Sequence, residues 1–387
     1  MTDKDQAYTD LRKHLDRHPI GFPATRSGAE IKVLKHIFSP EEAKIACCLS
    51  WRPEPLSAVY ARARHLVDSE QELGRILERI QKKGGIESKM KNGERHYCNA
   101  PLVVGMYELQ VGRLTPEFVR DFKAYTRDKR FGISFLSTEL PQMRTIPVQK
   151  SLRPEHRVAT YDEVDSLLQS AEGPFVILPC ICRLKKRMEG KPCSMTVREE
   201  TCMGFGHMAR MILESGVGRE IDRAEALSII EENQKEGLVL QPSNTRKADF
   251  ICSCCGCCCG ILDIHKHLPR PLEFFASNFQ ARVDAEACDG CGLCEAHCQV
   301  RAVRVAEETQ TAAVDLHRCL GCGVCIPECP NKAISLVKKD TDVTPPQTRE
   351  ELHEIIMAAK KGRVGRIKLT VKLAAHAIRT GKIDLLE

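Results

Sequence analysis

The spacing of apolar residues predicts helices and one hairpin in the first third of the chain. From residue 29 to residue 83 apolar positions recur at helical spacing, and Ser39 and Ser69 begin capping boxes that mark helix starts. Residues 86–102 predict two strands with an Asn-Gly pair between them, which favours a type I′ turn. Three or four helices followed by a hairpin predict a winged-helix-like domain over residues 29–103.

The middle of the chain predicts mixed helix and strand. Thr115 begins a helix that runs toward Asp128, and residues 139–156 predict an extended connection. Phe175–Leu178 is a buried-strand candidate that leads into cysteines, and Asp222 caps a later helix. We therefore expect a central α/β cysteine-rich domain.

The last third predicts short strands around a cysteine-rich core, and then a basic amphipathic helix in which lysines and arginines alternate with apolar residues. The predicted class is α+β. The predicted segments are an N-terminal extension (1–28), the winged-helix-like domain (29–103), the central domain (104–275), a third domain (276–341) and the basic tail (342–387).

Composition narrows the possible compartments and partners. The 387 residues carry 58 Lys+Arg against 52 Asp+Glu, a net charge of +6. This mild excess of positive charge does not indicate a nucleic-acid-binding protein. The first residues are polar, without the apolar core of a secretory signal, and no apolar run reaches the length of a membrane span. Of the 21 cysteines, all but Cys47, Cys48 and Cys98 are therefore expected to be metal ligands in a reducing cytoplasm, since disulfides are rare there.

Two copies of C-x2-C-x2-C-x3-C begin at Cys288 and at Cys319. This spacing lets three thiolates bind one [4Fe–4S] cluster, while the fourth cysteine of each run reaches the other cluster. The predicted ligands are Cys288, Cys291, Cys294 and Cys329 for cluster 1, and Cys319, Cys322, Cys325 and Cys298 for cluster 2. A structural zinc site would need four ligands per metal and does not account for the doubled run.

The segment resembles a bacterial dicluster ferredoxin, and the whole chain resembles iron–sulfur proteins of anaerobic bacteria. The flanking strand candidates at residues 279–283 and 333–336 agree with the ferredoxin pattern. One position departs from it, because Gln299 stands where the family usually has proline. The resemblance implies a 2[4Fe–4S] domain that transfers electrons.

A second cysteine set precedes this domain. Its first part comprises Cys180, Cys182, Cys193 and Cys202, and its second part comprises Cys252, Cys254, Cys255, Cys257, Cys258 and Cys259. The basic run that begins at Arg183 would offset the charge of bound thiolates. Neighbouring side chains in the second part diverge, so only a subset can serve one metal. We interpret the first part, with thiols borrowed from the second, as the site of a third [4Fe–4S] cluster. Zinc and a metal-free thiol site are the alternatives.

These features predict an electron-transfer iron–sulfur protein that relays single electrons between protein redox partners. We expect a carrier or an oxidoreductase subunit more than a stand-alone enzyme, because no dinucleotide fingerprint or acid–base constellation is recognisable. Two alternatives stay open: a redox-sensing DNA-binding regulator, and a subunit acting on a thiol or disulfide. Glutamates on the candidate recognition helix do not favour nucleic acid. The expected location is the cytoplasm, or the inner membrane face if the basic tail docks on lipid or on an acidic partner.

Overall fold

The computed structural model describes residues 3–138, 140–153, 158–340, 343–360 and 362–379. It divides into two compact units. Unit 1 comprises Met1–Glu139, His207–Glu220 and His353–Thr370, and unit 2 comprises Leu140–Gly206, Ile221–Leu352 and Val371–Glu387. The predicted boundary between residues 103 and 104 falls inside unit 1, and the predicted boundary between residues 275 and 276 falls inside unit 2.

Helices and antiparallel strand pairs occur together in the described chain, which fits the α+β class. The helices are α1 Asp3–Leu15, α2 Ala29–Ile37, α3 Pro40–Ala46, α4 Leu56–Ala63, α5 Glu70–Lys82, α6 Pro116–Thr126, α7 Lys129–Leu136, α8 Val164–Ser170, α9 Ile181–Met188, α10 Gly206–Glu214, α11 Arg223–Lys235, α12 Gly260–His267, α13 Leu293–His297, α14 Arg349–Ala358 and α15 Arg363–Arg379. The strands are β1 Glu54–Pro55, β2 Ile86–Lys91, β3 Glu94–Asn99, β4 Phe175–Pro179, β5 Glu200–Phe205, β6 Arg219–Ile221, β7 Val239–Pro242, β8 Phe250–Cys254, β9 Phe279–Val283, β10 Val303–Val305, β11 Ala312–Val314 and β12 Ile334–Lys338.

Unit 1 contains the predicted helices and hairpin of residues 29–103. Ser39 caps α3, with both hydrogen bonds of the capping box present. Strands β2 and β3 pair around Asn92 and Gly93, whose positive φ angles of 52° and 81° fit a type I′ turn. Helix α1 was not predicted; it buries Leu11 and Leu15, and the Tyr8 hydroxyl donates to the Phe38 carbonyl.

The central part of unit 2 is built on one sheet with the strand order β6-β4-β5-β8-β7. The pairs β4–β5, β5–β8 and β7–β8 are antiparallel. A sheet of this kind differs from the parallel βαβ arrangement that the term α/β implies. Its apolar side chains pack beneath α8 and α11 in one core, which includes Val164, Ile177 and Ile230.

The segment around the ferredoxin motifs also lies in unit 2. Strands β9 and β12 pair antiparallel, as do β10 and β11, so each cysteine run is flanked by a short two-stranded ribbon. A buried ion pair ties this segment to the preceding connection: Arg144 bonds Asp162 at 3.3 Å, and Asn278 donates to the same carboxylate at 2.7 Å.

The predicted basic tail contains helices α14 and α15, and residues 341, 342, 361 and 380–387 lie outside the described residues. Helix α15 leaves Ile367, Val371 and Ile378 more than 60% exposed, while Lys372 pairs with Glu273 at 2.7 Å. Docking through this tail stays a prediction. None of the described helices is long and apolar enough to cross a membrane.

Candidate metal centres

The first ferredoxin motif surrounds a cavity. The cavity has a volume of about 310 Å³, part of it open to solvent, and Cys288, Cys291 and Cys294 line it together with Cys329 from the second motif. The fourth cysteine of the second run therefore lies with the first three cysteines of the first run. These four cysteines line one space, together with Ile334 and neighbouring residues.

The second motif shows the reciprocal arrangement. Burial raises the pKa of the Cys322 thiol to about 12, and the charges of Cys298 and Cys319 act in the same direction. Burial also raises the pKa of Cys325, and Cys298 is again among the thiolates close enough to contribute. Cys298 therefore lies beside the second run, away from the cavity of its own run.

Backbone amides point at the sulfurs of both motifs. Four alanine N–H groups donate to cysteine Sγ atoms at 3.1–3.3 Å: Ala281 to Cys319, Ala302 to Cys298, Ala312 to Cys288, and Ala333 to Cys329. Such hydrogen bonds stabilise thiolate charge and tune the potential of an iron–sulfur centre. The donor pattern fits the cofactor that the spacing predicts.

Two glycines in these motifs are sterically required. Gly290 and Gly321 have φ angles of +71° and +62°, and a Cβ at either position would lie 2.1 Å from a backbone carbonyl oxygen. The tight approach holds each motif against the ribbon behind it, β10–β11 for Gly290 and β9 for Gly321. Larger residues would push the cysteines out of place.

The ten cysteines of the central set separate into two groups. Six of them lie close enough that each perturbs the pKa of the next in a closed order, and are here called the six-thiol ring: Cys180, Cys182, Cys259, Cys254, Cys252 and Cys202. The other four form a compact cluster, here called the four-thiol group: Cys193, Cys255, Cys257 and Cys258.

Sheet geometry explains the six-thiol ring. Cys252 and Cys254 alternate along β8 and so share one face, and Cys202 lies on the adjacent strand β5. Cys180 and Cys259 are the N-cap residues of α9 and α12. The positive end of α9 thus lies beside Cys180, which favours the ionised form of that thiol. Hydrogen bonds from Cys182 and then Cys202 hold the pKa of Cys180 well below its usual range.

A tight turn explains the four-thiol group. The amides of Cys258 and Cys259 both donate to the Cys255 carbonyl, at 3.3 Å and 3.1 Å, so the chain folds back over Gly256. The turn brings the thiols of Cys255, Cys257 and Cys258 together, while that of Cys259 leaves toward the six-thiol ring. Cys193 completes the group, with its Sγ 3.6 Å from those of Cys255 and Cys257.

Arg183 lies between the two groups. It is 4% exposed, and its guanidinium donates to the hydroxyl of Thr201 and, at 3.0 Å, to the carbonyl of Ser253. Burial lowers the pKa of Arg183, but thiolate charge from both groups, Cys180 and Cys255 foremost, outweighs burial and raises it. Of the predicted basic run, Arg183 is placed among the thiols, whereas Arg187 is 60% exposed and pairs with Glu199.

Gln299 joins the ferredoxin segment to the four-thiol turn. Its side-chain carbonyl accepts from the Gly256 amide at 2.7 Å, and it is 8% exposed. A Cβ on Gly256 would lie 2.2 Å from the Gln299 backbone oxygen, so the two segments are in close contact. A proline at position 299, as the family usually has, could not supply this acceptor.

The structure does not bring the predicted set of Cys180, Cys182, Cys193 and Cys202 into one group. Cys193 lies with the four-thiol group, while the other three lie in the six-thiol ring. The run from Cys252 to Cys259 contributes to both groups, in keeping with the expectation that its side chains diverge. The C-x-C spacing on a strand indicates that Cys252 and Cys254 share one face. No local pattern indicates that Cys193 and Cys202 belong to different groups.

Comparison with protein families places this geometry in a known class. Residues 287–333 match the model of the 4Fe-4S dicluster domain, so this segment is an iron–sulfur ferredoxin-type domain. Neither the comparison with curated proteins nor that with solved structures gave a match. The dicluster domain shows that the chain takes [4Fe–4S] clusters, and it supports an iron–sulfur electron-transfer role.

Proposed function

We propose that the protein relays single electrons between protein redox partners through two [4Fe–4S] clusters in residues 276–341 and a third in the central domain. When bound, such clusters supply one-electron oxidation and reduction. The chain's own contribution is to hold the centres close together, to shield them from water and to set their potentials through hydrogen bonds and charge.

The observation that carries this proposal is a buried core shared by both cysteine sets. Cys254 and Cys259 of the six-thiol ring belong to the same apolar cluster as Cys294, Cys319 and Cys325 of the ferredoxin motifs. A continuous packed apolar core suits electron passage from one set to the other. The Gln299–Gly256 hydrogen bond adds a second direct contact.

For the ferredoxin centres we propose crossed fourth ligands. Cluster 1 would take Cys288, Cys291, Cys294 and Cys329, which is supported by their common cavity. Cluster 2 would take Cys319, Cys322, Cys325 and Cys298, which is supported by the electrostatic proximity of Cys298 to the second run. Cys294 and Cys325 also influence each other, so the two centres would be neighbours.

For the third cluster we propose four ligands from the six-thiol ring. In the described part of the chain, no three ring sulfurs lie within 4.8 Å of one another. A single tetrahedral ion would need closer sulfurs, so we assign the ring to a cube, whose four thiolate ligands each bind a different iron. Arg183 would offset the negative charge of the centre.

Iron and sulfide counts on anaerobically purified protein test the relay, together with EPR during reductive titration. We expect about twelve irons per chain, four for each of three cubes, and delivery of about three electrons to a one-electron acceptor such as cytochrome c. A count of about eight irons would end the relay at the ferredoxin domain and contradict the third cluster.

We further propose that residues 29–103 position a redox partner and do not read DNA. On the candidate recognition helix α5 and its C-cap, Arg79 and Lys83 bond the buried carboxylate of Glu42 at 3.0 Å and 2.8 Å. Two of the helix's cationic side chains are thus neutralised within the domain, and less charge remains for phosphate.

Binding to genomic DNA fragments tests this second proposal. We expect weak binding that is lost as salt rises and is equal for all sequences. Selection of one fragment with a dissociation constant near 10⁻⁸ M or tighter, typical of specific recognition, would favour the regulator alternative.

A further inference from the structure

We propose that the four-thiol group binds one divalent metal ion, held tetrahedrally by Cys193, Cys255, Cys257 and Cys258. The site is separate from all three proposed clusters, and it shares no ligand with them. The inference does not depend on the electron relay, because it follows from the distances within this group.

The sulfur–sulfur distances are those of a single ion. The Sγ atoms of Cys255 and Cys257 lie 3.4 Å apart, and Cys193–Cys255, Cys193–Cys257 and Cys257–Cys258 are each 3.6 Å. All four sulfurs lie within 4.8 Å of one another. A Zn–S bond of about 2.3 Å places tetrahedral thiolates about 3.8 Å apart, whereas the ligands of a four-iron cube are about 6 Å apart.

This compactness sets the group apart from every other cysteine set. In the described part of the chain it is the one group of three or more metal-binding side chains with all ligand atoms within 4.8 Å. The eight ferredoxin cysteines and the six-thiol ring do not meet that limit. Among the described residues, one cysteine group therefore has its sulfurs close enough together for a single ion, and the other cysteine sets do not.

The surroundings also suit a thiolate-bound ion. Four thiolates around a divalent metal carry a net charge of about −2. The positive charge of Arg183 interacts with the thiolates of Cys193 and Cys255, and Lys266 donates to the carbonyl of Gly256 at the centre of the turn. Leu238 and Met195 pack against the group on its apolar side. Two cationic side chains and an apolar surface therefore surround the thiols, and such surroundings stabilise metal–thiolate sites.

Zinc is the ion that this donor set favours. Four thiolates select soft or borderline metals, and divalent zinc binds a given site more tightly than iron(II) does. A closed site with four protein ligands and no position for substrate is structural. The ion would fix the turn at Gly256, to which Gln299 of the ferredoxin segment is bonded.

Metal analysis of the full chain tests the site. Zinc and iron would be counted in anaerobically purified wild-type protein and in the Cys257→Ser variant, after both are equilibrated with a competing chelator. Cys257 is exposed, so its replacement is the least disruptive to folding. We expect one zinc per chain in the wild type, at least a tenfold loss in the variant, and unchanged cluster iron.

Cys48→Ser is the matched control, because Cys48 is a partly buried thiol in unit 1 and should leave both counts unchanged. Zinc-edge X-ray absorption of the wild type gives a second measurement that needs no variant, with four sulfurs expected at about 2.3 Å. If the ion is iron(II), Cys257→Ser lowers the iron count by one, which still supports a mononuclear site.

Three results would overturn the proposal. They are loss of four irons together in Cys257→Ser, a short metal–metal distance in the absorption spectrum, and wild-type protein with neither zinc nor an iron beyond the clusters. Failure of the relay would appear separately, as eight cluster irons with the zinc still present.

Discussion

The ferredoxin motifs and the central set both consist of cysteines, but different structural features position the cysteines in the two regions. In the motifs, eight cysteines are spaced by glycine turns, and four of their sulfurs accept backbone N–H groups. In the central set, ten cysteines have mainly one another as neighbours, and a buried arginine lies between their two groups. Local loop geometry fixes the first set, whereas sheet pairing and one tight turn fix the second.

Removing a crossed ligand should have the largest effect. In Cys298→Ala we expect loss of the centre held by Cys319, Cys322 and Cys325, seen as about four fewer irons and the disappearance of one EPR signal. The physical reason is that Cys298 lies beside the second run. Selective loss of the centre held by the first run would show that the ligands are not crossed.

Removing a ring thiol should affect the central set alone. Cys202→Ala is expected to lower iron by about four, with both ferredoxin signals retained, because Cys202 joins Cys180 and Cys252 in the six-thiol ring. The control is Cys98→Ala, a buried thiol on β3 in unit 1. Equal iron in the two variants would contradict a cluster in the ring.

Removing the buried cation should shift a potential without removing a centre. Arg183 stabilises the more negative, reduced state, so Arg183→Met should lower the midpoint potential of the central cluster by about 50–100 mV. Potentiometric EPR measures the shift. Arg187→Met, on the same helix but 60% exposed, is the matched control. Similar shifts in both variants would mean that proximity to the thiols is unimportant.

Adding a methyl group where the two cysteine sets meet should have the smallest effect. In Gly256→Ala the new Cβ would meet the Gln299 carbonyl, and we expect the free energy of unfolding to fall by about 1–3 kcal/mol. Gly260→Ala adds the same methyl in open space at the start of α12 and should change stability by less than about 0.5 kcal/mol. Thermal unfolding under anaerobic conditions compares the two. Equal stability of the two variants would mean that the turn shifts to accept the methyl group without a cost in free energy.

Local sequence signals predicted several elements well. Capping at Ser39, the Asn92-Gly93 hairpin and the buried strand at Phe175 all depend on residues within one turn or strand, and the structure confirms them. Helix α1 was missed because most of its residues are polar or charged, and its stability depends on burying Leu11 against helices that follow later in the chain. The antiparallel pairing of the central strands could not be predicted locally, because strand direction depends on partners far away in sequence.

The sequence by itself determined the ferredoxin-type segment, because its ligands are spaced by two or three residues and any chain with that spacing can wrap a cluster. Only the tertiary structure decided how the ten central thiols divide. Cys193 and Cys202 are nine positions apart, yet Cys202 is carried by β5 beside β8, while Cys193 lies outside the sheet and meets the Gly256 turn. That division depends on long-range strand pairing and on one close backbone approach. Neither feature can be predicted from the spacing of the cysteines in the sequence.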